Sequence, residues 1–314
     1  MLASFKSLAD FQKAFPNEDA CINHFRAIRW PDAMQIVCPH CGTVAAHYLL
    51  SNNTHKCAEK LCHKKFSVRN GTIFEDSKLP LLKWFMAIFL ATSHKKGVSS
   101  CQLARDIGIT QKSAWFVLQR IRNAAMTQEF KTPLTGTIEV DEAYVGPNTR
   151  FQHASKKNPL LTGMGAAKRK KIVFGMLQRD GDLRMHTVKD ARRATLEPII
   201  RQQIAPGSEV HTDEAQTYNW MRSEYAHRMV SHTLGEYVRE GVTTNRIEGA
   251  FSHFKRTFVG TYHKTSDMHL DRYLQMFAYR WNTRKWTDED RVNDLLQSTE
   301  GRRITYKALI RKAN

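Results

Sequence analysis

The sequence has no uninterrupted run of about 18 apolar residues, the length that a membrane-spanning helix requires. Its first ten residues include Asp10 and lack the apolar core of a signal peptide. We also find no lipidation motif, and no polybasic tail beside an apolar helix. We therefore expect a cytoplasmic protein without a membrane partner.

Cysteine and acidic residues are both scarce. Six cysteines in a chain expected in the cytosol indicate metal binding before disulfides. The 30 acidic residues face 48 lysines and arginines, which gives a formal net charge of +18. This charge favours a polyanionic partner such as a nucleic acid, with a merely basic protein as the alternative. The 314 residues, with an apolar fraction of 41%, suffice for two or three domains with real cores.

Four of the cysteines form two pairs. Cys38 and Cys41 lie in a Cys-Pro-His-Cys-Gly knuckle, and Cys57 and Cys62 form a looser second pair. Short strand-like runs can join the knuckles as a hairpin, so that four thiolates bind one tetrahedral Zn²⁺. Three nearby histidines are alternatives to one of the thiolates: His40, His55 and His63. The pattern predicts a zinc ribbon over residues 36–76, after a helical segment over residues 1–35.

Residues 77–130 have the pattern of a helical region that resembles a helix-turn-helix. Ser99 or Ser100 can cap the first helix, Gly108 suits the turn, and Thr110 can cap the second helix. The second helix would then present its first residues to a DNA groove. Its predicted DNA contacts are Gln111, Lys112, Ser113 and Arg120. A plain helical hairpin that packs against its neighbours is the alternative.

The order of elements predicted in residues 131–290 is that of one α/β domain. Apolar, β-branched runs predict five strands, at residues 137–141, 172–179, 182–188, 208–213 and 227–232. Helices are predicted over residues 195–204, near Tyr218–Tyr225, from Glu248 and from Leu270. This order matches the RNase-H-like fold, a mixed five-stranded sheet with helices. Residues 291–314 are predicted to form a basic C-terminal tail.

Three acidic residues are candidate ligands of a catalytic metal site. Asp141 ends the first strand, Asp213 ends the fourth, and Glu248 opens a helix. Carboxylates are the hard oxygen ligands that Mg²⁺ or Mn²⁺ prefers, and two such ions about 4 Å apart can promote phosphodiester displacement. Asn245, one turn before Glu248, is an alternative third ligand, although a charged oxygen binds Mg²⁺ more strongly. Lys255 shares a helical face with Glu248 and can hold a phosphate. Each acid taken alone could instead be structural.

A basic segment, residues 147–171, separates the first two strands of this domain. Its length and charge favour a flap that contacts phosphates, and a solvated loop that touches nothing is the alternative. The predicted DNA contacts outside the helical region are Lys168, Arg169, Lys170, Lys171 and Arg256.

With these features in this order, the chain resembles bacterial insertion-sequence transposases of the Asp-Asp-Glu type. The resemblance is close over residues 244–264 and 269–282. It implies a Mg²⁺-dependent DNA transposase that binds terminal inverted repeats, frees 3′-OH ends by hydrolysis and joins them to target DNA. It also implies at least a homodimer on paired DNA ends, associated with the nucleoid when active. In some members of the group an asparagine takes the third catalytic position.

Two other functions remain open from the sequence. One is a catalytically inactive regulator that binds DNA through the ribbon and the helix-turn-helix. The other is an RNase-H-like nuclease without strand transfer.

Overall fold

The computed structural model describes residues 3–126, 132–146, 170–230 and 241–310. They divide into two compact units, one of Met1–Thr127 with Lys285–Asn314 and the other of Gln128–Arg284. Among the described residues, no helix is long and apolar enough to cross a membrane.

The elements are numbered here in chain order. The α-helices are α1 (Leu8–Ala14), α2 (Glu18–Arg29), α3 (Leu81–Ser93), α4 (Ser100–Ile107), α5 (Gln111–Ala125), α6 (Arg193–Gln203), α7 (Asn245–Thr257), α8 (Leu270–Asn282), α9 (Asp288–Gln297) and α10 (Tyr306–Ile310). The strands are β1 (Ile36–Val37), β2 (Val44–Ala45), β3 (Tyr48–Leu49), β4 (His55–Lys56), β5 (Lys65–Phe66), β6 (Thr137–Val145), β7 (Lys171–Gln178), β8 (Leu183–Val188), β9 (Glu209–Thr212) and β10 (Ala226–Met229). A 3₁₀ helix covers Gln216–Ser223.

The first unit is built around α3, whose apolar residues are buried on most sides. Pro80 offers no side-chain cap, so the carboxylate of Glu18 accepts from Leu81 N at 2.8 Å and Leu82 N at 2.9 Å. Helices α2, α4, α5 and α9 contact α3 or one another around it. The short strands form one sheet of β1 and β2 and another of β3, β4 and β5.

The caps predicted for the helix-turn-helix-like segment are confirmed. Ser99 Oγ accepts from Gln102 N, and Thr110 Oγ1 accepts from Ser113 N at 3.2 Å. Gly108 ends α4 in the left-handed conformation, with a φ of 61° that glycine adopts without strain.

The C-terminal segment differs from the predicted basic tail. Helix α9 begins with a capping box at Thr287 and buries Val292, Leu295 and Leu296 in the first unit. Its apolar residues recur at helical spacing among mostly acidic neighbours, so this part of the segment is neither basic nor an extended tail.

The second unit contains the five predicted strands, in the spatial order β10-β9-β6-β7-β8. Strand β7 pairs antiparallel with β6 and β8, whereas β9 pairs parallel with β6 and β10. Alternation along β6 sends Ile138 and Val140 to a core with α6, and Ala143 and Val145 to a core with α7 and α8. The unit is therefore a mixed five-stranded sheet covered by helices on both faces.

Candidate catalytic site and cysteine cluster

Strands β6 and β9 bring Asp141 and Asp213 side by side. The two strands run parallel, and their last paired residues are Glu139 and His211. Asp141 and Asp213 each lie two residues further along, so alternation directs both side chains to the same face as that pair. Both residues are half-buried.

Helix α7 carries Glu248 and is held against the same face by Glu139. This glutamate is 0% exposed, and its Oε2 accepts from Arg246 N at 2.9 Å and Ile247 N at 3.1 Å, in the first turn of α7. Arg179 Nε donates to Glu139 Oε1 at 3.1 Å. A carboxylate at a helix N-terminus is stabilised by the unpaired N–H groups there. Glu139 therefore fixes the start of α7 two residues from Asp141 along β6.

Gly175 allows α7 to approach the sheet closely. It pairs with Asp141 across β6 and β7. A Cβ atom on Gly175 would lie 2.7 Å from Phe251 Cζ and 3.0 Å from Ile247 Cδ1, both on α7. Neither Glu139 nor Gly175 was among the residues predicted from the sequence. The sequence signal for Glu139 is a charged residue inside an apolar strand, and the signal for Gly175 is an isolated glycine inside another strand.

The two candidates for the third ligand differ in environment. Glu248 is half-buried in the first turn of α7, and Thr244 Oγ1 donates to its Oε1 at 2.9 Å. Asn245 is exposed at the first position of α7. Lys255 is exposed two turns after Glu248 on the same helix.

The acids that follow the two aspartates do not share their surroundings. Glu142 faces the opposite side of the sheet, as alternation predicts, where Tyr218 Oη donates to its Oε1 at 2.5 Å. Burial raises the pKa of Glu142 to about 7, and the nearby charges of Asp141 and Asp213 add to the effect. Glu214 is exposed. The influence of both aspartates on one carboxyl group is consistent with their closeness.

The four paired cysteines converge on one point. Their Sγ atoms all lie within 4.8 Å of one another, with 3.6 Å between Cys41 and Cys57 and 3.9 Å between Cys38 and Cys62. Sulfurs bound to a tetrahedral zinc at about 2.3 Å are about 3.8 Å apart, so these thiols suit the ion. Hydrogen bonding to Thr43 lowers the pKa of the Cys41 thiol to about 6, whereas burial raises the pKa of the Cys57 thiol to about 12.

The nearby histidines are outside this cluster. His55 is buried and stacks on Phe66 with ring centroids 5.4 Å apart, and burial lowers its pKa to about 4. His40 Nε2 lies 3.3 Å from Lys65 O.

Of the described residues, only these four cysteines form a group of three or more potential ligands this tight. The carboxylates of Asp141, Asp213 and Glu248 are thus spread more widely than the thiols. The ligands of two ions about 4 Å apart are spread over a larger volume than the ligands of one ion.

The predicted DNA contacts on α5 separate into three residues at the start of the helix and one buried residue, Arg120. Gln111 and Lys112 are exposed and Ser113 is half-buried at the start of the helix. Gln111 Nε2 donates to Ser100 Oγ at 2.8 Å, and Lys112 Nζ lies 5.0 Å from the ring centroid of Tyr306.

Arg120 is not available for DNA, which corrects its prediction as a contact. Only 3% of the residue is exposed. Its NH1 group donates to Ile73 O at 2.7 Å and Glu75 O at 2.9 Å. Because these bonds satisfy buried carbonyl groups, Arg120 stabilises the first unit.

The basic residues predicted in the second unit are partly placed. Lys168 and Arg169 lie outside the described residues. Lys170 is half-buried, and Lys171 is exposed with its Nζ 3.1 Å from Asp267 Oδ2. Arg256 is exposed near the end of α7.

Two family models match this chain. Residues 133–282 match the ISXO2-like transposase domain, and residues 16–65 match the transposase zinc-ribbon domain. The first range contains the five-stranded sheet with α6, α7 and α8, and the second ends after the cysteine cluster.

Relatives point to the same group. A protein in the transposable element ISH50 of Halobacterium salinarum is 24% identical over 298 residues, covering 91% of this chain and 98% of the relative. A transposase-like protein of Haemophilus influenzae is 29% identical over 96 residues, covering 30% of this chain and 76% of the relative. No solved structure matches the chain. These matches assign an ISXO2-like transposase domain to residues 133–282 and a transposase zinc ribbon to residues 16–65, the domains of an insertion-sequence transposase.

Proposed function

We propose that this transposase cuts DNA at the terminal inverted repeats of an insertion sequence and joins the freed ends to target DNA. The observation that carries the proposal is the side-by-side placement of Asp141 and Asp213 on parallel strands, against the helix that carries Glu248. The strand order β10-β9-β6-β7-β8, with β7 antiparallel to its neighbours, supports an RNase-H-like fold for this unit.

Asp141, Asp213 and Glu248 would hold two Mg²⁺ or Mn²⁺ ions, with Asn245 as the alternative to Glu248. Such ions would supply electrophilic stabilisation of the attacking and leaving oxygens. Water would attack the phosphorus at the element end, and the bond to the 3′ oxygen would break to give a free 3′-OH. That hydroxyl would then attack a target phosphodiester and release a target 3′ oxygen. Lys255 would hold a neighbouring phosphate as a point charge.

DNA recognition would fall to the first unit. Exposed Gln111 and Lys112 at the start of α5 are suited to a DNA groove, with Ser113 beside them. A Zn²⁺ ion on Cys38, Cys41, Cys57 and Cys62 would fold the ribbon, because its strands of two residues each bury little apolar surface. Pairing two element ends requires at least a homodimer on the DNA.

Substitution of the acids tests the catalytic proposal. Asp141→Asn, Asp213→Asn and Glu248→Gln should each abolish Mg²⁺-dependent cleavage and strand transfer, because each removes a charged metal ligand. Binding to terminal-repeat DNA should persist. Cleavage of labelled repeat DNA and joining of pre-cut ends measure the two steps. The matched control is Glu214→Gln, an exposed acid next to Asp213 that should retain both activities.

The outcomes separate the competing functions. Full activity in Glu248→Gln, with loss in Asn245→Ala, would move the third ligand to Asn245. Cleavage without joining of pre-cut ends would indicate a nuclease, and binding without cleavage in the unaltered protein would indicate a regulator.

Substitution of Cys38 tests the zinc site. Cys38→Ser should lower zinc content from about one ion per chain and unfold the ribbon, because a hydroxyl is a poor replacement for a thiolate. Elemental analysis and circular dichroism measure the two effects. Unchanged zinc content would contradict the assignment. Cys101→Ser, at an exposed cysteine outside the cluster, is the control.

A further inference from the structure

A cavity of about 270 Å³ lies in the second unit beside α7. It is formed by the turn between β7 and β8, one face of α7, and the C-terminal end of α8. Its volume far exceeds the roughly 30 Å³ that a water molecule occupies in the liquid. None of the proposed metal ligands lines it.

The cavity is adjacent to the candidate catalytic acids along the chain. Arg246, Gly249 and His253 line it from α7, and Gly249 directly follows Glu248. Their spacing of three and four residues puts them on one helical face, about 100° to 160° around the axis from Glu248. The cavity and Glu248 are therefore on neighbouring faces of the same helix, and one DNA strand is long enough to contact both.

Three of the polar side chains around the cavity are donors only. Arg246 and Arg284 carry guanidinium groups, which have no acceptor, and Trp281 carries an indole N–H. The indole Nε1 is buried and has no hydrogen-bond partner in the described part of the chain. The acid in the lining is Asp180, whose Oδ1 lies 3.0 Å from Arg246 NH1 and whose side chain is 84% exposed at the rim.

Arg284 is already oriented at the cavity wall. Its NH1 donates to Trp281 O at 2.8 Å, and its guanidinium carbon lies 5.3 Å from the centroid of the Trp281 ring. The ring of His253 lies 6.1 Å from the same indole. A guanidinium held over an aromatic ring loses less side-chain freedom when it binds a ligand.

We propose that this cavity binds a backbone phosphate of the DNA strand held at the catalytic acids. The inference rests on the proposed function, since it assigns a second contact to the same DNA. Arginine is suited to phosphate because its fork of donors matches two phosphate oxygens. A base edge would present donors as well as acceptors, whereas the charged groups of this mostly apolar lining are two guanidinium groups and the one carboxylate of Asp180.

DNA in which one phosphate at a time carries no charge tests the site directly. Each phosphate near the scissile bond is replaced in turn by an uncharged methylphosphonate, and affinity is measured for the full-length protein. In the unaltered protein, one position should weaken binding about tenfold, the scale of one charge-assisted hydrogen bond. Arg284→Gln and Arg246→Gln should each lower the affinity for unmodified DNA by about the same factor of ten. In these variants, the methylphosphonate at the sensitive position should lower the affinity no further.

Salt dependence gives a second readout. Each variant should lower the slope of log affinity against log salt by about 0.9, the value for one phosphate contact. The matched control is Arg193→Gln, which removes the same charge from α6 on the opposite side of the sheet. The affinity of the Arg193→Gln variant should still fall when the methylphosphonate is at the sensitive position.

Filling the cavity tests the site without removing charge. A Cβ atom on Gly249 would meet no atom within 4 Å, so a side chain there enters open space. Gly249→Leu should weaken the contact with the same DNA phosphate about tenfold. The substitution should leave the thermal stability of the protein unchanged. Gly249→Ala should have a much smaller effect.

The results distinguish failure of this inference from failure of the proposed function. If the unaltered protein cleaves repeat DNA while the two arginine variants and Gly249→Leu keep its affinity, salt slope and methylphosphonate pattern, the phosphate site is wrong and the function stands. If inorganic phosphate binds at the cavity but no methylphosphonate position matters, the assignment to DNA is overturned. If the unaltered protein neither binds nor cleaves repeat DNA, the proposed function fails first.

Discussion

Single buried polar residues determine how the candidate catalytic site is assembled. Glu139 accepts two backbone N–H groups from α7 and one bond from Arg179, so its carboxylate is satisfied although it is fully buried. A buried charge is tolerated when it is paired and hydrogen-bonded in this way. Glu139 is thus a positioning residue for Glu248, because it holds the helix that carries this acid.

We expect His227 to make the second unit sensitive to acid. It lies on β10, where its Nε2 is 2.9 Å from Thr212 Oγ1. Burial, with the charges of Arg222 and His211, lowers the pKa of His227 from 6.5 to about 4. The folded state therefore favours neutral imidazole. This contribution to stability is present above pH 6.5 and is lost as pH falls from 6.5 toward about 4.

We predict that the free energy of unfolding of this unit falls over that pH range. The loss from His227 should not exceed about 2 kcal/mol once solvent screening is allowed for. Denaturant unfolding at a series of pH values should show a shallower decline in His227→Gln. His263→Asn, at an exposed histidine whose φ of 59° asparagine tolerates, should leave the decline unchanged. Identical declines in His227→Gln and the unaltered protein would contradict this assignment.

At the scale of elements, the distance between α7 and the sheet depends on the absence of a side chain at Gly175. Phe251 and Ile247 of α7 occupy the space that a Cβ atom on Gly175 would take. Because Gly175 pairs with Asp141, this close approach occurs beside the candidate ligands. The packing of one helix and the geometry of the site are therefore coupled.

We predict that Gly175→Ala weakens both folding and catalysis. Overpacking should cost about 1–3 kcal/mol of the free energy of unfolding. Displacing Glu248 by about 1 Å relative to Asp141 should reduce cleavage by up to about 100-fold. Thermal unfolding and cleavage rates measure the two effects.

A second substitution shows whether the cause is the contact with α7. Phe251→Leu should recover part of the activity of Gly175→Ala, since it removes the ring atom nearest the new Cβ. Gly260→Ala, where a Cβ would meet nothing within 4 Å, is the matched control. Equal activity in Gly175→Ala and Gly260→Ala would exclude the packing argument.

At the scale of the whole molecule, the chain forms two compact units. The C-terminal segment returns to the first unit, where Arg120 Nε donates to Ile304 O at 3.0 Å and Arg29 NH2 lies 2.9 Å from Glu300 Oε1. Helix α9 contacts α2, α3 and α5. The first unit therefore cannot complete its core until the end of the chain is available.

We predict that Leu295→Ala destabilises the first unit selectively. Loss of this fully buried side chain from α9 should cost about 2–5 kcal/mol. Hydrogen exchange of the full chain should show reduced protection in α2 and α3, with β6–β8 unchanged. Leu274→Ala, a fully buried residue of α8 in the second unit, should give the reverse pattern. Loss of protection in both units from either substitution would indicate a single cooperative core.

The sequence by itself determined the strongly patterned features. The spacing of Cys38, Cys41, Cys57 and Cys62 identified the thiol cluster, because few arrangements can fold so short a segment without metal. The five strands followed from apolar, β-branched runs. The cap at Thr110, and one at Ser99 or Ser100, followed from local hydrogen bonding that tertiary context rarely changes, and the structure selects Ser99.

Tertiary structure alone decided which polar residues are buried and which segments pack together. Arg120 follows the predicted recognition residues in sequence, yet its guanidinium binds carbonyl groups from distant segments. The roles of Glu139 and Gly175 depend on a helix about 70 to 110 residues later in the chain. The cavity beside Gly249 combines residues from three elements. Periodicity records which face of an element is apolar, whereas partners far along the chain depend on how the elements meet.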